Sequence, residues 1–226
     1  MEYTDIKPAK FLSRANRFLC RIEMAGREEA CHVKNTGRLK ELLRPGAAVL
    51  VREASRAKRK TKYDLIGVYK GDRLVNVDSQ VPNQVFREWV ETSGYFGTLS
   101  LVKPEFRYRQ SRFDFYLEAG ERRILVEVKG VTLEIDGVAM FPDAPTERGV
   151  KHILELAESM ASGYEPYVFF IIQMKGVHCF TPNAHTHPAF AQALREAAAQ
   201  GVKVLALDCL VTPTSIRAAD FVPVRL

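Results

Sequence analysis

The sequence predicts an α+β protein in two parts, a small closed β-barrel over residues 1–82 and an α/β unit with a mixed sheet over residues 83–226. Three observations predict it. Up to Val77, short apolar and β-branched runs are broken by turn signals, with room for only one small helix. Residues 112–129 read as two strands joined by a tight turn, and both arms alternate with period two. From Glu147 onward, helical and strand patterns take turns, which is the rhythm of a mixed sheet with helices on its faces.

A chain of 226 residues can bury a sizeable core, and 46% hydrophobic with 27% charged residues is a globular composition. The formal net charge of +6 leans towards an anionic partner. Cys20, Cys31, Cys179 and Cys209 show neither zinc spacing nor close pairs in sequence, so they read as reduced thiols of a cytoplasmic protein. The first residues, Met-Glu-Tyr-Thr-Asp-Ile-Lys, contain no apolar run, and no stretch is long enough to span a bilayer, so no membrane partner is expected.

In the first part, residues 18–24 and 30–33 read as strands around a turn at Ala25-Gly26-Arg27. Residues 38–43 read as a short helix stopped by Pro45-Gly46. Residues 47–53, 63–69 and 73–77 read as further strands, the last two joined at Lys70-Gly71-Asp72. Short strands with one small helix in this length suggest an OB-like barrel, with a sandwich as the alternative. Between two of the strands sits a basic tip, Arg56, Lys58, Arg59, Lys60 and Lys62, with almost no acid to balance it. Such a cluster displaces counterions from phosphates, so it is a candidate DNA contact with little sequence specificity; the competing reading is a solvated loop.

Residues 78–82 connect the two parts, and residues 83–94 have helical spacing with Val85, Phe86, Trp89 and Val90 apolar. Strands are expected at 99–102 and 106–109, leading into the hairpin. Gly120-Glu121 suits a two-residue turn with glycine first, as type II′ requires. Counting outward from it pairs Phe115 with Val126 and sets Asp114 opposite Glu127. Two carboxylates face to face repel unless something neutralises them, and a divalent cation would, with Lys129 on the same face. Hard oxygen ligands suit Mg²⁺, with Mn²⁺ as a substitute. In the competing register Asp114 faces Lys129 as an ordinary ion pair.

Beyond the hairpin, a turn is expected at Asp136-Gly137 and a helix over 147–162, capped by Thr146. Its buried face would be Val150, Ile153, Leu154, Ala157 and Met160, leaving Arg148, Lys151 and His152 as candidate phosphate contacts on the outer rim. Residues 166–174 read as a buried strand, 188–200 as a helix and 202–208 as a strand. His185 and His187 flank Thr186 in a loop and read as surface residues. Glu88 reads as a solvated helix position rather than a third acid.

Several blocks together resemble the sugar fermentation stimulation protein A family. They are Asn16-Arg17-Phe18, the run from Cys31 to Leu39, Ser111-Arg112-Phe113-Asp114-Phe115, the run from Val126 to Leu133, and the run from Phe141 to His152. The resemblance covers nearly the whole chain in order. It implies an N-terminal OB-like domain, a second domain similar to PD-(D/E)XK nucleases, DNA binding and a regulatory role in sugar metabolism. In that nuclease pattern Asp114, Glu127 and Lys129 would be the two acids and the lysine, with Phe113 standing where a proline often precedes the first acid. The expected function is a DNA-binding protein with a Mg²⁺-dependent nuclease site on Asp114 and Glu127. The alternative is a non-catalytic DNA-binding regulator on a degenerate nuclease fold. A small-molecule enzyme of sugar metabolism has no glycine-rich phosphate loop or glycosidase signature to support it.

Overall fold

The computed structural model describes residues 1–54 and 61–226. Arg56, Lys58, Arg59 and Lys60 of the basic tip lie outside the described residues. The first part is a barrel of five strands, β1 (Ile6–Asn16), β2 (Leu19–Met24), β3 (Arg27–Val33), β4 (Ala48–Glu53) and β5 (Tyr63–Lys70). It runs β3-β2-β1-β4-β5 and closes by a parallel β3–β5 pairing, Cys31↔Tyr63 to Val33↔Leu65. A sixth strand, β6 (Arg73–Asn76), extends β5. The β2–β3 turn puts Ala25 and Gly26 both at positive φ, 50° and 75°, the geometry of a type I′ hairpin. Cys20 and Cys31, far apart in sequence, stand opposite each other across these two strands as buried residues.

One expectation for this part is corrected, and one strand carries no sequence signal. Residues 38–43 form only one turn, closed by Leu43 N donating to Leu39 O at 2.8 Å. Leu39 has φ 51°, outside the helical region, and Pro45 follows too soon for a second turn. β1 was not foreseen at all, because among its eleven residues only Phe11 is buried and no apolar alternation shows.

The second part is built on a six-stranded sheet, ordered β15-β14-β12-β9-β8-β7. Its strands are β7 (Leu101–Tyr108), β8 (Ser111–Ala119), β9 (Arg122–Val131), β12 (Glu165–Ile172), β14 (Lys203–Thr212) and β15 (Ser215–Phe221). β9, β12 and β14 are parallel in the centre, with antiparallel strands on both flanks. A small second sheet joins β10 (Leu133–Ile135), β11 (Val138–Phe141) and β13 (Cys179–Pro182). The segments 99–102 and 106–109, expected as two strands, are one continuous strand, β7. Among the described residues three helices cover the sheet: α1 (Val81–Thr92), α2 (Glu147–Glu158, continued by a 3₁₀ turn Ser159–Ser162) and α3 (Pro188–Gln200). Val85, Phe86 and Val90 of α1 pack on Ile124, Val126, Val128 and Phe169. On the other face, Ile153 and Leu156 of α2 join Phe190 and Leu194 of α3 against Leu125, Val131 and Phe170.

The two parts are docked by buried polar contacts. Gln173 Nε2 donates to the carbonyls of Asn76 and Asp78, both at 3.1 Å. Glu134 receives Lys70 Nζ at 2.7 Å and Arg73 Nη1 at 2.8 Å. Asp143 Oδ2 accepts from Leu39 N at 2.8 Å. Among the described residues no helix is long and apolar enough to cross a membrane.

Candidate functional site

The hairpin turn forms as its sequence requires: Gly120 takes φ 61°, a left-handed value that glycine adopts without a Cβ penalty. The ladder then runs from Ala119↔Arg122 to Phe115↔Val126 and stops. Beyond Phe115 the amide of Val128 turns to a side chain, donating to Asp114 Oδ2 at 2.7 Å. Asp114 Oδ1 accepts from Asn83 Nδ2, in the first turn of α1, at 2.8 Å. The expected pairs from Ala119↔Arg122 to Phe115↔Val126 are found, which excludes the competing register, and the ladder ends before it reaches Asp114 and Glu127.

Period two on β9 turns Glu127 towards α2, away from the α1 face that Val126 and Val128 occupy. Its side chain is buried. Oε1 accepts from Lys129 Nζ at 2.6 Å and meets His152 Nδ1 at 2.7 Å. Oε2 is buried with no hydrogen-bond partner among the described residues. The lysine therefore clasps the glutamate and leaves the aspartate to Asn83 and the Val128 amide.

Charge follows from these neighbours. Burial, then the negative charge of Glu127, push the Asp114 carboxyl up from 3.8 to about 6. Burial also acts to raise Glu127, but the Lys129 ammonium and the His152 hydrogen bond outweigh it and hold the group below the usual glutamate range. Glu127 is thus ionised at neutral pH, and its buried Oε2 carries negative charge that no proton donor satisfies.

The residues fit a hard divalent cation. Glu127 is near enough for its charge to raise Asp114, although Asn83 of α1 holds one acid and His152 of α2 the other, so they are not simply face to face. A buried carboxylate oxygen without a hydrogen-bond partner among the described residues is what a cation would satisfy. Among the described residues no group of three or more His, Cys, Asp or Glu side chains could hold a metal ion. An ion here would take one or two carboxylates and complete its shell with water and substrate oxygens, which is how Mg²⁺ is commonly held.

The helix supplies two corrections. His152, expected on the outer rim, is buried at 6% exposure, whereas Leu154, expected in the core, is 45% exposed. The buried stripe of α2 is Gly149, His152, Ile153 and Leu156, spaced i, i+3, i+4, i+7. Thr146 caps it as expected, its hydroxyl accepting from Gly149 N at 3.0 Å. Arg148 is exposed, and its Nε donates to His152 Nε2 at 3.3 Å. Lys151 is exposed, 3.6 Å from Glu155. His187, expected at the surface, is buried at 7%, with Glu147 Oε1 3.1 Å from its Nε2. Glu88 is solvated and pairs with the N-terminal amine.

The structure therefore brings Asp114, Glu127, Lys129, His152 and Arg148 together. Lys62 stands on the barrel, 3.4 Å from Glu53 and over the Tyr63 ring. Sequence reasoning missed Asn83, whose contact with Asp114 spans 31 positions and leaves no local pattern. A cavity of about 300 Å³ opens where the barrel meets the second part. Among its lining residues are Asn35 and Thr36 from the barrel side, Ser79, Gly130 beside Lys129, Thr146 at the head of α2, and Gln173.

Comparison with known proteins gives consistent matches. Residues 12–77 match the family model of the SfsA N-terminal OB domain, and residues 80–215 match that of the sugar fermentation stimulation protein RE domain. A sugar fermentation stimulation protein homolog of Desulfitobacterium hafniense (strain DSM 10664 / DCB-2) is 64% identical over 226 residues, covering 100% of this chain and 99% of that protein. A homolog from Clostridium beijerinckii is 52% identical over 226 residues and covers 100% of both. Among solved structures, Pyrococcus furiosus SfsA in complex with Ca²⁺ superposes with a TM-score of 0.90 at 30% identity, covering 100% of this chain and 98% of that one.

Proposed function

The chain belongs to the sugar fermentation stimulation protein family, and we propose that it is a cytoplasmic, regulatory DNA-binding protein whose second part holds a divalent cation and cleaves phosphodiesters. The observation that carries this reading is the buried, ionised and partnerless Glu127 Oε2 set against Asp114. The Pyrococcus furiosus relative was solved with Ca²⁺, a hard divalent ion of the type these carboxylates suit.

Asp114 and Glu127 would hold the ion. When bound, it supplies Lewis-acid polarisation of a phosphodiester oxygen and a lowered pKa for a coordinated water. Lys129 spends one of its three N–H donors on Glu127 Oε1, so two remain for a phosphate oxygen or for orienting the attacking water. The Asn83 amide and the Val128 N–H hold Asp114 in one orientation before any substrate arrives. Arg148 and Lys151 stand exposed on α2 and suit phosphates of a bound strand. Residues 1–82, with the basic tip, would grip DNA through charge, in keeping with the net charge of +6 and with little sequence preference.

One observation favours a second reading, a DNA-binding regulator without turnover. The Lys129 ammonium already counters the charge of Glu127, and His152 hydrogen-bonds to the same oxygen. Cleavage assays separate the two. Mg²⁺-dependent cleavage of DNA by the wild type, lost in Asp114→Ala and Lys129→Ala, supports the nuclease. No cleavage by any of the three, with DNA binding intact, leaves the regulator.

A further inference from the structure

We propose that Arg148 and His152 form a relay that fixes the orientation of Glu127 and ties it to a phosphate contact at the rim of the site. The inference rests on the cation-site reading above.

The hydrogen-bond chemistry sets the ring's tautomer. An arginine Nε carries one hydrogen and can only donate. Its 3.3 Å approach to His152 Nε2 therefore requires that nitrogen to accept, which places the imidazole's single proton on Nδ1. Nδ1–H then donates to Glu127 Oε1 at 2.7 Å. Reversing the ring proton would set N–H against N–H on one side and a lone pair against a carboxylate on the other.

The ring is well placed to impose direction. It is buried, it sits edge-on to Phe113 with centroids 6.1 Å apart and planes at 77°, and it rides on the buried stripe of α2. Lys129 alone, on a flexible four-carbon stem, can serve either oxygen of Glu127. A rigid ring and the ammonium together engage one oxygen and leave the other, Oε2, bare. Outer partners that hold a metal ligand in this way tune metal affinity without touching the ion.

Arg148 extends the chain of contacts outward. It is exposed, and among the described residues its two Nη groups have no protein partner. They can take a phosphate bidentately while Nε stays on the ring. A phosphate bound there immobilises the guanidinium, the guanidinium holds the tautomer, and the tautomer holds Glu127. By linkage, a DNA strand and a divalent ion would then each raise the other's affinity.

Three measurements on the full chain test this. In metal-free protein, ¹⁵N spectra of the histidine rings should show His152 as the Nδ1–H tautomer, with the preference weakened in Arg148→Met. His152→Asn places an amide nitrogen near the Nδ1 position, whereas His152→Gln places one near Nε2. Mn²⁺ titration by calorimetry should find His152→Asn close to wild type and His152→Gln weaker by about 10-fold or more. In the third, Ca²⁺ affinity should rise at least about fivefold when a short DNA duplex is present, and the rise should vanish in Arg148→Met. An Nε2–H tautomer, or equal Mn²⁺ affinity in the Asn and Gln variants, overturns the relay. A wild type that binds no metal overturns the cation-site reading instead, and the ring spectra of metal-free protein still decide whether Arg148 sets the tautomer.

Discussion

Replacing Asp114 by Asn should stabilise the metal-free protein at neutral pH. The carboxyl is raised from 3.8 to about 6, first by burial and then by Glu127. A group with a raised folded-state pKa contributes its full stability below the unfolded value, and that contribution is lost as pH rises through the folded value. Two pKa units at about 1.4 kcal/mol each give a penalty of about 3 kcal/mol once Asp114 is ionised. The residue keeps partial exposure, and solvent screening brings the expected figure nearer 2 kcal/mol. Of this, about 1 kcal/mol develops between pH 5 and pH 7.5. Glu127 adds no slope in that window, because its pKa is held down and its contribution is lost only at lower pH. Asparagine keeps the shape and can accept from Val128 N, while the Asn83 amide can turn to accept from the new side chain. Urea unfolding with a chelator at pH 5 and pH 7.5 measures the effect. The variant should be more stable than wild type at pH 7.5, with the gap narrowing at pH 5. Parallel pH profiles, or a variant less stable at pH 7.5, would refute the reasoning. Saturating Mg²⁺ should close the gap by stabilising the wild type alone.

Glu127→Ala leaves the Lys129 ammonium partly buried without its counter-charge and should cost about 3 kcal/mol in urea unfolding; a loss below about 1 kcal/mol would mean that the lysine readily finds water. Neutralising Lys58, Arg59, Lys60 and Lys62 together should weaken DNA binding and flatten the plot of log affinity against log salt by up to about 0.9 per lost phosphate contact. An unchanged slope removes that segment from the interface. Thr146→Ala should cost about 1 kcal/mol through loss of the hydroxyl that accepts from Gly149 N, read as a lower urea midpoint at unchanged slope.

The hairpin was legible because two short-range signals agree there. Period-two alternation fixes which face is apolar, and the glycine turn fixes the register. Together they set Phe115 against Val126, and so bring Asp114 near Glu127, before any long-range contact is known. The barrel was legible from its turns, but not β1, whose exposed residues carry no alternation. β13 and β15 escaped because each lies on the margin of its sheet, and β15 buries only Ile216, which leaves no alternation to read. His152 was misplaced because the stripe that buries it begins at Gly149, a residue with no apolar side chain to mark the face. The lysine's choice of the glutamate over the aspartate depends on α1 and α2 arriving from 31 positions before one acid and 25 after the other. No local pattern encodes that.

The central claim is that the bare Oε2 of Glu127 and the carboxylate of Asp114 form a divalent-cation site. The most direct measurement is anomalous diffraction from crystals of the protein grown with Mn²⁺. The account predicts a peak between Asp114 and Glu127 Oε2, with Lys129 Nζ and His152 Nδ1 still on Oε1. Crystals with Mn²⁺ ordered elsewhere but no peak at these carboxylates would contradict it.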